Sequence, residues 1–417
     1  MLHQVRHHVG NFLPALRYPN YRLYFIGQGI SLVGTWMQQI AEQWLIYPTL
    51  TNNKSLLGIV SAINLLPVTF IVLFAGVWAD RVDRRKAQIV LQCLFSLIAF
   101  TMSYLIFSGR IQVWHVIVAA LASGLVFAFD MPTRQALMVN LVDRQYFASA
   151  LSLNGAIFNA ARVVGPAVAG ALIAVAGIAP AYFFNGVSFL AVIVSVYLMK
   201  LPEHPKEAQY PPFRRQLVEG FDFVRRTPLV SISLILVATL TIATWPVSTL
   251  MAVFAHDIFQ RGEIGFGILT SAFGLGAMVG AFGFHALYHA VRLKDRLILA
   301  TITTIAATTS IFALWHVFPI ALVMLFLSGW SIATTIGTLN TVVQEVVPDN
   351  LRGRILSYYS FFLVGGMPLG ALVASIGVGL VGAPNTIFFC AIAFFVISMS
   401  VIFATKEQFL SQLVGMT

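Results

Sequence analysis

Apolar runs long enough to cross a bilayer, roughly 20 residues each, recur about twelve times along this chain, near 22–49, 56–79, 87–108, 113–137, 148–177, 179–199, 229–255, 264–289, 294–315, 317–343, 355–380 and 384–404. Hydrocarbon offers no hydrogen bonds to the backbone, so a run of that length and apolarity has to close its own amides as a helix. The pattern therefore restricts the chain to an all-α membrane protein of about twelve transmembrane helices. Charge supports this: only 10% of the 417 residues are Asp, Glu, Lys or Arg, against about a quarter in soluble domains. The two cysteines, Cys93 and Cys390, fall inside apolar runs, where no partner suggests a disulfide framework or a metal site. No cofactor is expected.

The cations orient the bundle. Of 25 Lys and Arg residues, Lys54, Arg110 and Arg261 fall in loops on one side, Arg162 falls within a span, and all the others fall on the opposite side. Cytoplasmic loops carry the excess of positive charge, so both termini are expected in the cytoplasm. This placement, in short loops between apolar runs, also argues that the net charge of +10 serves membrane orientation and not nucleic-acid binding. Met1 to Tyr21 shows no apolar core followed by a cleavage pattern, so no removable signal peptide is expected.

Between the sixth and seventh runs lies the longest polar segment, 201–227. Its Phe213, Leu217, Phe221 and Val224 recur at helical spacing with arginines on the other faces, which predicts a helix along the inner membrane surface. The segment divides the chain into domains 1–200 and 228–417, with 201–227 as linker. The halves look duplicated: Pro19 and Thr35-Trp36 return as Pro228 and Thr244-Trp245 at an offset of 209, and Leu57-Gly58-Ile59 returns as Phe266-Gly267-Ile268 in the same register. Two pseudo-symmetric six-helix bundles follow from that.

Several residues do not suit lipid. In the first span Tyr24, Gln28, Ser31, Thr35, Gln38 and Glu42 follow a spacing of three and four, which puts them on one helical stripe. Such a stripe lines either a helix contact or a water-filled cavity, and Glu42 favours the cavity unless it simply reaches interfacial water at the outer mouth. In the second half Thr241, Thr244 and Ser248 form a shorter stripe, beside Trp245 and Pro246. The fourth span ends Asp130-Met131-Pro132-Thr133-Arg134, where a carboxylate and an arginine at i and i+4 form a local ion pair or exchange partners during transport. Arg162, deep in the fifth span, costs at least about 2.5–3.5 kcal/mol to insert unless paired. Asp130 is its first candidate partner and Glu42 its second. Phe158, one turn before it, suits a bulky apolar solute but equally suits ordinary packing. Gly165, Pro166 and Gly170 on the same span allow close helix approach and a bend.

One stretch breaks the apolar pattern: Gly76-Val77-Trp78-Ala79-Asp80-Arg81-Val82-Asp83-Arg84-Arg85-Lys86, a charged turn between the second and third spans, with Gly76 placed for a close helix contact. It resembles the short-loop motif of the major facilitator superfamily, and Gly165-Pro166 resembles that superfamily's antiporter motif. Asn20 to Gln38, Asp130 to Ala136 and Val347 to Arg354 are similar to the branch holding enterobactin-type siderophore exporters and macrolide efflux proteins. The resemblance implies the major facilitator fold, a monomer in the bacterial inner membrane, and a conformational latch built from Gly76, Asp80, Arg81, Arg84 and Arg85. It also implies transport of a small molecule. No G-x-x-x-x-G-K-[ST] loop is present, so the energy has to come from an ion gradient or from the solute itself. Proton antiport through Glu42, Asp130 and Arg162 leads, with export of an amphipathic siderophore-like metabolite or drug. Proton-linked import of a siderophore-like solute is the alternative, and an intramembrane enzyme is a distant third because the histidines lie at ends and loops.

Overall fold

The computed structural model describes residues 14–200, 213–290 and 294–404. Within them the chain is helical, with twelve long helices and one shorter amphipathic one. These are α1 (Pro19–Trp44), α2 (Ser55–Arg81), α3 (Arg84–Phe107), α4 (Val113–Val139), α5 (Phe147–Ala176), α6 (Ala179–Leu198), α7 (Phe213–Arg226), α8 (Pro228–Val253), α9 (Gly262–Ala290), α10 (Lys294–Leu314), α11 (Phe318–Val346), α12 (Asp349–Val381) and α13 (Ala383–Ala404). Among the described residues eleven helices are long and apolar enough by composition to cross a membrane. The long helix missing from that set is α1, because the polar stripe read from its sequence lowers its mean hydropathy. The amphipathic α7 lies where the linker pattern placed it, while 201–212 lie outside the described residues.

Local chemistry sets the helix limits. Proline stands first in α1 and in α8, at positions where its missing N–H would find no helical partner anyway. Asp83 caps α3, its carboxylate accepting from the Arg85 and Lys86 amides at 2.9 and 3.1 Å. The sharp returns from α5 to α6 and from α12 to α13 pass through Gly177 and Gly382 at φ +79° and +81°, a backbone region that side chains disfavour.

Two compact units form. One holds Met1–Leu50 with Leu66–Glu207, the other Thr51–Leu65 with Ala208–Thr417, described here only for the residues given above. Inside the first, α1 packs on α5 and α6, and α3 on α4 and α6. Inside the second, α8 packs on α12 and α13, and α10 on α11 and α13, the same pairing. Small residues make these contacts possible, since helices in lipid associate through close packing and not through a hydrophobic drive. A Cβ on Gly165 of α5 would lie 2.5 Å from the Trp36 Cβ and 3.0 Å from the Val33 carbonyl oxygen of α1. A Cβ on Gly370 of α12 would lie 2.7 Å from both the Trp245 Cβ and the Ile242 carbonyl oxygen of α8. The α9/α11 crossing is tighter still, with Gly276 against the Phe326 carbonyl and Gly329 against that of Phe273.

The start of α2 belongs with the second unit. Ser55 donates to the Ser375 carbonyl at 2.9 Å, Gly58 abuts the α12 backbone at Ala371 and Ser375, and Lys54 pairs with Asp257. Gly76, near the other end of α2, behaves differently from its reading as a contact glycine. A Cβ there meets nothing within 4 Å among the described residues.

These environments separate two glycine substitutions. Gly165→Val forces α5 off α1 and should lower stability by about 1–3 kcal/mol, as overpacking does. Gly76→Ala should leave stability unchanged or raise it by up to about 1 kcal/mol through helix propensity. Thermal unfolding of the detergent-purified variants checks both; equal midpoints for Gly165→Val and wild type would refute the seat.

Candidate functional site

The charged turn is only two residues long, Val82 and Asp83, and its arginines reach inward to the ends of neighbouring helices. Arg84 donates to the Ala136 carbonyl in the last turn of α4 at 3.2 Å. Arg85 donates to the Tyr197 carbonyl at the end of α6, with its guanidinium 5.6 Å from that tyrosine's ring centre. Unsatisfied carbonyls and the negative end of the helix dipole favour cations at such positions. Sequence reasoning gave both arginines to a latch with Asp80. Both reach helix-end carbonyls of their own unit, Arg81 is exposed, and the Asp80 side chain lies outside the described residues.

On α1 the polar stripe changes character along its length. Tyr24, Gln28 and Ser31 are buried, so this portion lines a helix contact and not a cavity. Thr35 is exposed, with its hydroxyl turned back to the Ser31 carbonyl at 2.9 Å. Gln38 accepts a 2.6 Å bond from Asn185 of α6, whose own carbonyl accepts from Ser188. Glu42 is half-buried near the Tyr182 phenol, and among the described residues it makes no hydrogen bond or ion pair.

Asp130 is held from three sides. Gln88 and Gln92, one turn apart on α3, both donate to its Oδ1, at 2.7 and 2.8 Å. Arg134 approaches Oδ2 at 3.7 Å, so the expected i, i+4 pair is present. With 2% of its surface exposed, the carboxylate is compensated by amide donors as a buried charge requires. Neither Asp130 nor Glu42 forms the expected ion pair with Arg162. The guanidinium of Arg162 lies 5.6 Å from the centre of the Trp36 ring, and Phe158 meets the same indole edge-on at 5.8 Å. Gly165 completes this face of α5 beneath Trp36; Pro166 and Gly170 beside it are buried. Gln88 and Gln92 were not singled out from sequence, and Trp36 only as a mark of the repeat, although glutamines four apart inside a span were a visible signal.

The second unit offers less chemistry. Thr241 is buried with its hydroxyl on the Val237 carbonyl at 3.0 Å and packs against Gly366, which corrects its reading as cavity-lining. Trp245 donates from Nε1 to the Ser61 hydroxyl at 3.3 Å. Arg354 pairs with Glu219 and so fastens α7 to α12, while Glu345 accepts from Tyr288 at 2.8 Å. Among the described residues no three His, Cys, Asp or Glu side chains cluster as metal ligands would.

Against known families, a transmembrane secretion effector family of the major facilitator superfamily matches residues 10–411. The chain belongs to this family. It is accordingly a multi-pass membrane transporter and not an enzyme. Similar relatives include the staphyloferrin A transporter of Staphylococcus aureus, 25% identical over 93% of this chain and 96% of the relative. The multidrug efflux pump Tap of Mycolicibacterium fortuitum is 26% identical, covering 84% of this chain and 85% of the relative. The macrolide efflux protein A of Streptococcus pyogenes is 22% identical, over 88% and 92%. Among solved structures, a bacterial homologue of the lysosomal transporter Spinster superposes with a TM-score of 0.74 at 12% identity, over 94% of this chain and 98% of that one. A bacterial ferroportin homologue gives 0.68 at 15% identity, over 92% and 98%. These likenesses show the fold that family membership implies.

The geometry at Asp130 predicts a stability effect in this transporter. Gln88→Leu and Gln92→Leu each remove one donor from a buried carboxylate and should each cost about 1–3 kcal/mol. Thermal unfolding in detergent measures this, and wild-type midpoints for both variants would show that the amides do not hold Asp130.

Proposed function

We propose that the protein is a secondary active transporter of the bacterial inner membrane that exports a small amphipathic molecule, a siderophore-like metabolite or a drug, in exchange for protons. The observation that carries this reading is Glu42, a carboxylate within a polar stripe, half-buried and without a hydrogen bond or ion pair among the described residues. A carboxylate in that setting binds and releases a proton without first breaking a network, whereas Asp130 has to give up Gln88, Gln92 and Arg134. Glu42 is therefore the leading coupling group, and Asp130 the secondary one. Efflux pumps and siderophore transporters among the relatives support the class of cargo. Transport proceeds by alternating access, with the six-span halves 1–200 and 228–417 as the moving bodies, 201–227 as linker, and both termini in the cytoplasm as the cation distribution requires. The working unit is a monomer.

Flux into proteoliposomes under an imposed pH gradient tests this. With an acidic lumen, one-for-one exchange should concentrate a radiolabelled macrolide about tenfold per pH unit, since each unit is worth about 1.4 kcal/mol. Glu42→Gln should reduce that to simple equilibration. Gradient-driven accumulation that survives both Glu42→Gln and Asp130→Asn would exclude both carboxylates from coupling.

A further inference from the structure

We infer that Tyr182 is the positioning partner of Glu42: its phenol donates to the Glu42 carboxylate when that group is ionised and lets go of it when the group takes up a proton. The inference deepens the proton exchange proposed above and rests on that reading. α1 and α6 share one antiparallel register. A Cβ on Gly27 would lie 2.4 Å from the Ser195 Oγ, one on Gly34 2.5 Å from the Ser188 Oγ, and Gln38 accepts from Asn185. One more turn along α1 brings Glu42, and one turn back along α6 brings Tyr182, close enough for the charge of the carboxylate to act on the phenol.

Both groups lack a hydrogen-bond partner. Tyr182 is 1% exposed and its Oη makes no hydrogen bond, a costly state for a buried hydroxyl. Glu42 is half-buried and makes none among the described residues. Gln43 Oε1 is also buried without a donor, but residue 43 stands about 100° round the helix from Glu42, off the face that meets α6. Few other titratable groups surround α1. α5 brings Arg162, beside Trp36 and about 9 Å short of Glu42 along the axis. α6 brings Tyr197 at its far end, and the turns flanking α1 bring Arg17, Tyr18 and Tyr47. Tyr182 is the one in register with Glu42.

The second unit shows what packing alone asks for at these positions. Glu42 corresponds to Met251 at the offset of 209, and Tyr182 to Ile387 at the offset that matches Gly165 with Gly370 and Gly177 with Gly382. Met251 and Ile387 are both buried and apolar. The pairing of α8 with α13 therefore closes without a carboxyl or a phenol, whereas the first unit carries both together.

A phenol is a neutral donor, and its bond to an anion is about twice as strong as its bond to a neutral acceptor. Tyr182 also stands in the first turn of α6, where the helix dipole favours negative charge. The ionised carboxylate is thus drawn against α6, and the protonated acid, losing most of that attraction, is free to stand in its half-exposed position. Proton uptake then moves the side chain. The proton added goes to the carboxylate, and the phenol keeps its own throughout. A single donor is a light hold beside the three groups on Asp130.

Macrolide flux in proteoliposomes and infrared difference spectra of the purified full-length protein test this together. Under the imposed pH gradient Tyr182→Phe should slow accumulation by about tenfold, the scale of a hydrogen bond to a charged group. Added to Glu42→Gln it should slow uptake no further, because it then has no carboxylate to act on. The acid-minus-alkaline spectrum needs no transport. The carboxylate band that Glu42→Gln removes should shift in Tyr182→Phe, and a phenol band should change along with it in the wild type. Where Tyr182→Phe does not purify folded, that phenol band decides, since it should vanish in Glu42→Gln. Absence of any band that Glu42→Gln removes, an unshifted carboxylate band in Tyr182→Phe, a phenol band indifferent to Glu42→Gln, or equal slowing by Tyr182→Phe with and without the carboxylate would each overturn the pairing. Accumulation that is lost in Glu42→Gln and untouched by Tyr182→Phe would sink this inference and leave the transport reading standing. Linked carboxylate and phenol bands in a protein whose uptake ignores the pH gradient would do the reverse.

Discussion

A glycine seated beneath a tryptophan, Gly165 under Trp36 and Gly370 under Trp245, is the contact through which each unit acquires its shape. Helices in hydrocarbon gain nothing from leaving water, so they hold together only where backbones come close enough for many weak contacts. Any side chain at either glycine would separate α5 from α1, or α12 from α8. The first separation would expose the polar stripe of α1 to lipid, and that stripe already makes α1 too polar to be counted with the other eleven spans. The position of α1 thus depends on α5 and α6 closing over Tyr24, Gln28 and Ser31.

Once α1 is enclosed, the ionisable groups sort by how well they are held. Asp130 sits between two amide donors and an arginine, in the way a buried charge is retained for structure or for a rare change of partner. Arg84 and Arg85 each donate to a helix-end carbonyl. Glu42, by contrast, makes no hydrogen bond or ion pair among the described residues, and the Arg162 guanidinium lies near the Trp36 ring. Charges that the sequence shows alike, as rare breaks in apolar runs, therefore differ in how firmly their surroundings hold them.

Much of this was legible in the sequence. Helix number, the amphipathic linker helix and the internal duplication follow from run length and register, because lipid leaves the backbone no alternative to helix. The Asp130–Arg134 pair was legible because i, i+4 neighbours on a helix touch whatever else surrounds them. Partners distant in sequence were not. Nothing in the spacing says that Gln88 and Gln92 turn toward α4, that Arg162 comes to lie beside Trp36, or that Thr241 folds its hydroxyl back on its own helix. Those outcomes depend on how each helix is rotated, and a stripe of polar residues fixes the polar face without naming what lies opposite. Gly76 misled for the same reason: a glycine permits a close approach but does not bring a neighbour.

Duplication turns the second unit into an internal comparison for the first. Both keep the glycine and tryptophan seat, the left-handed glycine turn before the last helix, and the same helix pairing, so these features belong to the scaffold. What differs is charge. Glu42, Asp130 and Arg162 all lie in the first unit, whereas the buried polar side chains described in the second are hydroxyls, several of which donate to a carbonyl of their own helix, as Ser233, Thr249 and Thr334 do, while Thr335 pairs with Thr301 at 2.9 Å and Thr309 with Ser328 at 3.1 Å. The charged turn follows the same trend, since at the offset relating the halves Asp80 corresponds to His289 and Arg85 to Lys294. Under the proposed proton exchange the titrating carboxylates Glu42 and Asp130 lie in the first unit, while the second packs through neutral hydroxyls whose bonds need no change of protonation.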